Sequence, residues 1–209
     1  MSLSRLTLLP YGTDKSNKHS MLQDYLFGNV LFTRHDQKQV IKGEFSTHSQ
    51  SWAVIDAIKR PDIAVLLDIF EVEHCCLWKG ESAEHYSFYA PYLVKLESDS
   101  PFVTWLLENS QKTPLGIYLR SRLPLEKLAH QLRKFNQVYD EETKTWLMFR
   151  YYDPITVKTL LPYLPVNDYL HFMDNLLFVL ADDVNANQFL VLQWRSLYGM
   201  WKTFYGWTC

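Results

Sequence analysis

An arginine and an aspartate lie three residues apart at the end of a strongly apolar run. Residues 146–152 are nearly all aromatic or large apolar side chains apart from Arg150, and Asp153-Pro154 follows directly. A buried guanidinium is costly unless a carboxylate or carbonyl groups meet it. The pair is therefore either an acid–base or anion-binding site, or a structural lock in which Arg150 binds a carboxylate such as Asp56. We favour the lock, because no nucleophile or set of metal ligands accompanies the pair.

Other patterns that carry chemistry are weak in this sequence. His74-Cys75-Cys76 resembles part of a zinc site, but zinc usually takes two separated ligand pairs and no second pair is present. The seven histidines are scattered, no G-x-S-x-G elbow occurs, and seven glycines form no phosphate-binding loop. We therefore expect buried structural cysteines, no metal and no cofactor.

A second pair of carboxylates, Asp182 and Asp183, is adjacent in the sequence. Catalytic carboxylates must converge in space, which adjacency along the chain does not supply. We expect a polar loop here, in which the pair forms a solvated turn or a helix cap.

The composition of the 209 residues excludes several classes of protein. A net charge of −2 does not suggest a nucleic-acid binder, and no apolar run reaches the roughly 20 residues that span a bilayer. The first residues show no signal peptide, and three cysteines without framework spacing fit a reducing compartment, so we expect a cytoplasmic protein. Aromatic residues make up 15% of the chain, which predicts that some lie at a binding surface.

The elements that must position these residues alternate from residue 51 onward. Strand patterns of Val, Ile and aromatic residues take turns with helical patterns, of which 124–135 is the clearest amphipathic helix. This predicts an α/β (α+β) fold with a mixed or parallel sheet flanked by helices. We expect an extension at 1–50 with an unstructured lead-in to 17 and a hairpin, an α/β domain at 51–181 and an aromatic-rich segment at 182–209. All three ranges are also compatible with one compact domain.

The predicted C-terminal segment carries an aromatic stripe. Its members fall at i, i+4, i+7 and i+11, which on a helix places them on one face. They are Trp194, Tyr198, Trp201 and Tyr205. Such a stripe is either core or a surface for a partner, in the manner of a helix bound in a groove.

Four short segments follow one another in a characteristic order. They are Trp52-Ala53-Val54-Ile55-Asp56-Ala57, Ala90-Pro91-Tyr92-Leu93-Val94-Lys95-Leu96, Phe102-Val103-Thr104-Trp105-Leu106-Leu107 with Gly116-Ile117, and Phe149-Arg150-Tyr151-Tyr152-Asp153-Pro154. Together they resemble the adaptor, or effector-chaperone, family of bacterial type VI secretion known as domain of unknown function 4123. The resemblance covers residues 51–175, and the order of the segments makes it more specific than any single one.

The resemblance implies a non-enzymatic adaptor. Such a protein holds a secreted effector and helps to load it onto the secretion spike protein. In our interpretation it binds an apolar helical segment of the effector. We expect neither nucleic acid nor a stable membrane association. The family motifs imply a structural role for eight residues: Asp56, Pro91, Tyr92, Trp105, Arg150, Tyr152, Asp153 and Pro154.

Two other classes of function stay open at this point. A small-molecule hydrolase or transferase would use Arg150, Asp153 and a histidine, and it predicts a deep polar pocket beside Arg150. A structural subunit of an assembly predicts a large apolar self-interface. The adaptor predicts an open apolar groove, with Arg150 consumed by internal hydrogen bonds.

Overall fold

The computed structural model describes residues 5–28, 31–34, 39–41, 49–193 and 201–204. The strands in these ranges are β1 Leu6–Pro10, β2 Leu31–Arg34, β3 Gln39–Ile41, β4 Gln50–Asp56, β5 His74–Cys76, β6 Pro91–Leu96, β7 Gly116–Ser121, β8 Gln137–Asp140, β9 Thr145–Met148, β10 Leu176–Asp183, β11 Gln188–Gln193 and β12 Trp201–Phe204. The α-helices are α1 Lys15–Phe27, α2 Ile63–Ile69, α3 Glu81–Tyr86, α4 Pro101–Asn109, α5 Leu125–Arg133, α6 Pro154–Thr159 and α7 Val166–Phe172. Short 3-10 helices cover Ser87–Tyr89, Leu161–Tyr163 and Val184–Ala186.

Seven strands form the main sheet, in the order β1-β11-β10-β7-β4-β6-β5. The predicted α/β class is confirmed, but every pair in this sheet is antiparallel rather than mixed or parallel. The relative direction of the strands could not be read from the sequence, because the central strands are buried on both faces. All six residues of β7, and β4 from Ser51 onward, are buried, and such strands read as the continuous apolar runs typical of parallel sheets.

Helices cover both faces of the sheet and create two cores. Alternate residues of β4 point to opposite faces: Ala53 and Ile55 belong to one core, Trp52 and Val54 to the other. Helices α1, α2 and α4 pack on the first core, and α5, α6 and α7 on the second. This two-sided burial holds the central strands rigidly, so that the loops at their ends have fixed positions.

The first described strand, β1, enters the main sheet beside β11. Strand β1 lies in the range predicted as an unstructured lead-in, which was wrong, and it pairs with β11 at the edge of the sheet. An edge position tolerates Pro10 at the end of the strand. The predicted polar loop at Asp182 and Asp183 was also wrong, because both residues end strand β10.

A separate three-stranded sheet has the order β12-β2-β3. Strands β2 and β3 pair as an antiparallel hairpin, as predicted for the N-terminal extension. Residues Trp201–Phe204 form β12, so a single helix through the aromatic stripe was the wrong interpretation. Its aromatic and β-branched residues suit a strand equally well. Trp194, Tyr198 and Tyr205 lie outside the described residues.

A buried carboxylate near the end of β10 binds the turn after β1 and helix α1. The Tyr11 hydroxyl donates to Asp182 Oδ1 over 2.8 Å, and Lys18 Nζ forms an ion pair with Asp182 Oδ2. Burial raises the pKa of Asp182 above its ordinary value, although Lys18 and Tyr11 oppose this shift. The neighbouring Asp183 has a lowered pKa, because Lys158 donates to its carboxylate.

We expect Lys18→Met to lower the free energy of unfolding by about 2 kcal/mol at neutral pH, the worth of a hydrogen bond to a charged group. The native pKa of Asp182 should then rise further. A raised carboxyl pKa means that the native state binds more protons than the unfolded one, so stability falls as pH rises through the native pKa. The loss should therefore shrink in acid, where Asp182 is protonated.

Urea unfolding at neutral pH and at a pH of about 4.5, near the ordinary range of carboxyl groups, measures this difference. Lys112→Met removes an exposed lysine and serves as the control, with no loss expected at either pH. An equal loss for Lys18→Met at both pH values would contradict the assigned ion pair.

Candidate partner-binding site

The end of strand β4 is held by the predicted ion pair. Arg150 Nη2 contacts Asp56 Oδ2, and the same nitrogen lies 3.4 Å from Asp153 Oδ2. The Asp56 side chain is fully buried (0% exposed), whereas that of Arg150 is 35% exposed. The Ile58 N–H donates to the other Asp56 oxygen over 3.1 Å. The guanidinium is thus already bound by two carboxylates of the chain itself, and we call this pair the Arg150–Asp56 lock.

The segment after β9 is a turn, although its run of aromatic residues is typical of a strand. Strand β9 ends at Met148, and residues 149–153 lead directly into α6. Phe149, Tyr151 and Tyr152 belong to the second core instead of a pleated surface. Asp153 caps helix α6: it accepts a hydrogen bond from the Ile155 N–H over 3.0 Å, and Pro154 is the first helical residue.

The other motif residues lie in the two cores. Pro91 is the register partner of Asp56 in the β4–β6 pair, and Tyr92 pairs with Ile55. Trp105 stacks on Phe102, with ring centroids 5.6 Å apart. The structure therefore brings Asp56, Pro91, Arg150, Asp153 and Pro154 to one end of the sheet, and it places Tyr92 and Trp105 against the first core.

The β8–β9 hairpin carries apolar side chains that face solvent. It forms a two-stranded sheet of its own. Val138 and Leu147 are opposite each other on one face, and Tyr139 and Trp146 on the other, with ring centroids 5.3 Å apart. Trp146 is 67% exposed and the other three are also exposed. A two-stranded hairpin is marginally stable by itself, and the exposed apolar residues on both of its faces make it a candidate binding surface.

An open groove of about 830 Å³ separates this hairpin from the body of the protein. We call it the hairpin groove. It is lined by Leu77, Trp78, Lys79, Ser82, Tyr86, Tyr89, Arg133, Lys134, Asn136, Gln137, Trp146 and Met148. Aromatic and aliphatic groups provide most of the wall. The charged side chains among the lining residues are all cations.

Two polar side chains of the groove bind the chain around the edge strand β5. Arg133 Nη2 donates to the Cys76 carbonyl over 2.7 Å, and Asn136 Nδ2 donates to the Leu77 carbonyl over 2.8 Å. The Phe149 N–H donates to the Asn136 carbonyl over 2.8 Å. These bonds fix the base of the hairpin relative to β5 and so give the groove a defined shape.

The profile of the domain of unknown function DUF4123 matches residues 51–169. The match covers more than half of the chain. The chain belongs to the DUF4123 family. Searches of curated proteins and of solved structures gave no match.

The DUF4123 region runs from strand β4 into helix α7. It contains both the Arg150–Asp56 lock and the hairpin groove, so these two features belong to the part of the chain that defines the family. The sequence motifs pointed to the lock but not to the groove. The only signal for the groove was the apolar character of 146–148, and burial in a sheet gives the same signal.

One tyrosine beside the lock and the two thiols of β5 have raised pKa values. Burial, and then the charge of Asp56, raise the pKa of Tyr152, so its hydroxyl stays protonated. Burial raises the pKa of the Cys75 thiol to about 11, and that of Cys76 also rises. Both thiols are half-buried, less than the full burial predicted. A protonated thiol is a poor nucleophile and a poor metal ligand.

Within the described ranges of the chain, no group of three or more His, Cys, Asp or Glu side chains lies close enough to hold a metal ion. The longest helix there, α1, has 13 residues, and none has the length and apolar character that crossing a bilayer requires.

Proposed function

We propose that this DUF4123 protein is a non-enzymatic adaptor of bacterial type VI secretion. In this proposal it acts in the cytoplasm, holds a secreted effector protein and helps to load that effector onto the spike protein. The hairpin groove carries the proposal, because a permanently exposed aromatic surface inside the family-defining region needs a partner to cover it. The ordered sequence motifs of the type VI adaptors support the choice of pathway.

The chemistry of the lock favours an adaptor over a small-molecule enzyme. An enzyme that uses Arg150 would leave its guanidinium free to bind an anion, whereas here Asp56 and Asp153 already meet it. The protonated Tyr152 and Cys75 supply neither a base nor a nucleophile. These groups stabilise the end of the sheet, and binding is left to the exposed surface.

Co-expression with the product of each neighbouring gene, followed by affinity purification, tests the proposal. We expect one neighbouring product to co-purify as a stable complex, and to lose solubility when it is expressed alone. Size-exclusion chromatography with light scattering then gives the stoichiometry. Self-association without capture of any neighbouring product would favour a structural subunit and contradict the adaptor.

Trp146→Ala should weaken this complex by about 30-fold, the effect of losing an aromatic hot spot worth about 2 kcal/mol. Because Trp146 is 67% exposed, the midpoint of urea unfolding should stay unchanged. Tyr163→Ala is the matched control: this tyrosine is 77% exposed and does not line the groove. Calorimetric titration of the purified partner measures both affinities, and equal losses for the two variants would rule out the groove as the binding surface.

A further inference from the structure

We infer that the hairpin groove takes an acidic, apolar peptide segment of the partner protein. This inference rests on the proposed function, because it specifies what the adaptor recognises at the same surface. The cations Lys79, Arg133 and Lys134 line the groove, and no carboxylate is among the lining residues. Although the chain has a net charge of −2, the groove is lined by three positive charges and by exposed aromatic residues.

The apolar part of the groove provides anchoring positions. Trp146 and Met148 project from the hairpin, and Tyr86 and Tyr89 face them from helix α3 and the 3-10 helix that follows it. All four are exposed. Large aromatic side chains dominate the energy of protein interfaces, and methionine adapts to irregular apolar surfaces. The occupant must therefore carry apolar side chains.

The positive charges are available to an occupant. Lys79 and Lys134 are exposed, and within the described ranges neither forms an ion pair with the protein. Arg133 is held in place by the Cys76 carbonyl over 2.7 Å. A guanidinium already oriented by one bond loses little further freedom when a carboxylate binds it. Carboxylates on the occupant would complete these three partial sites.

Two buried polar atoms beside the groove favour a peptide. Trp78 Nε1 and Asn136 Oδ1 have no hydrogen-bond partner in the part of the chain that the structure describes. One is a donor and the other an acceptor. A peptide backbone supplies a carbonyl and an N–H at every residue, which are the two groups that these atoms lack. Single-stranded nucleic acid is disfavoured by the net charge of −2, since nucleic-acid binders usually carry a basic excess.

Two synthetic peptides of about 16 residues, or roughly four helical turns, test the inference on the intact protein. They share one stripe of Leu and Phe and differ at the polar positions, which are all Glu in one peptide and all Lys in the other. We expect the Glu peptide to bind at least about ten times more tightly. Raising the salt to about 0.5 M should reduce this preference, because salt screens exposed charges.

Charge reversal locates the effect in the groove. Lys79→Glu with Lys134→Glu should remove the preference for the Glu peptide. The control pair, Lys112→Glu with Lys127→Glu, changes the net charge equally at exposed lysines that do not line the groove, and it should retain the preference. Unchanged urea unfolding of both double variants shows that each is folded.

Several outcomes would overturn the inference: binding of neither peptide, equal binding of both, loss of preference in the control pair, or tighter binding of oligothymidine than of the Glu peptide. The peptides need no effector, so the two proposals fail separately. If the Glu peptide binds but no neighbouring gene product co-purifies, only the adaptor proposal fails. If a neighbouring product binds the Lys79→Glu/Lys134→Glu variant with full affinity, only the inference about the groove fails.

Discussion

Replacing Arg150 by alanine is expected to lower the free energy of unfolding by about 3 kcal/mol. The reason is the fully buried carboxylate of Asp56. Among the described residues, Arg150 is the only cation that forms an ion pair with it, and the substitution removes this cation. Breaking a buried pair costs about 3–5 kcal/mol, because the remaining charge is left uncompensated. The 35% exposure of Arg150 places the effect at the lower end. Urea unfolding at neutral pH measures it.

A double-mutant cycle separates the lock from the packing of the arginine side chain. Asp56→Asn removes the charge that Arg150 neutralises, so Arg150→Ala in that background should lose markedly less stability than in the wild type. Partner affinity, measured where every variant is folded, should stay at the wild-type level. An Arg150→Ala protein that is as stable as the wild type but does not bind its partner would instead place this segment on the binding surface.

Gly116→Ala should destabilise the protein by about 3 kcal/mol, at the upper end of the usual range for overpacking, or prevent soluble expression. Gly116 begins β7 and is opposite Ile55 of β4. A Cβ atom there would lie 1.9 Å from the Val54 carbonyl oxygen and 2.9 Å from its carbon. Both are backbone atoms in a central pair of strands, so the contact is relieved only by separating the strands.

Gly80→Ala is the matched control for this substitution. Gly80 has φ +61°, and a Cβ atom there would meet nothing within 4 Å. With ψ −147°, Gly80 has a backbone conformation that essentially only glycine adopts, so its replacement should cost about 2 kcal/mol from backbone strain alone. Thermal unfolding ranks the two variants. A smaller loss for Gly116→Ala than for Gly80→Ala would mean that β4 and β7 separate easily, contrary to their central place in the sheet.

Features that follow from the requirements of a single residue or a short segment were predictable from the sequence. The cap at Asp153-Pro154 and the pairing of Arg150 with Asp56 follow from local rules: proline suits the first turn of a helix, and a buried arginine needs a carboxylate. The hairpin of β2 and β3 was predictable in the same way. In each case the chemistry of one or two residues restricts the structure that they can adopt.

Features that depend on how distant elements are arranged around one another were not predictable. Burial on both faces makes an antiparallel central strand look like a parallel one. The exposure of Trp146 depends on whether another element covers the hairpin, and its apolar character is the same in either case. Asp182 reads as a surface residue until Tyr11 and Lys18, more than 160 residues away in sequence, meet it.

The arrangement of the main sheet also determines when its edges become covered. One half of the sheet consists of β4, β5, β6 and β7, which pair with one another. The other edge of β7 stays unpaired until β10, which begins at Leu176, has been made. Strand β1 is the first described strand to be made, but it cannot pair until its partner β11, which starts at Gln188, has been made. The pairing of β1 with β11 joins residues that are far apart in the sequence. Pairings of this kind close a long loop and slow folding. The newly made chain therefore carries an unpaired strand edge for most of its synthesis, the period when it is most exposed to aggregation.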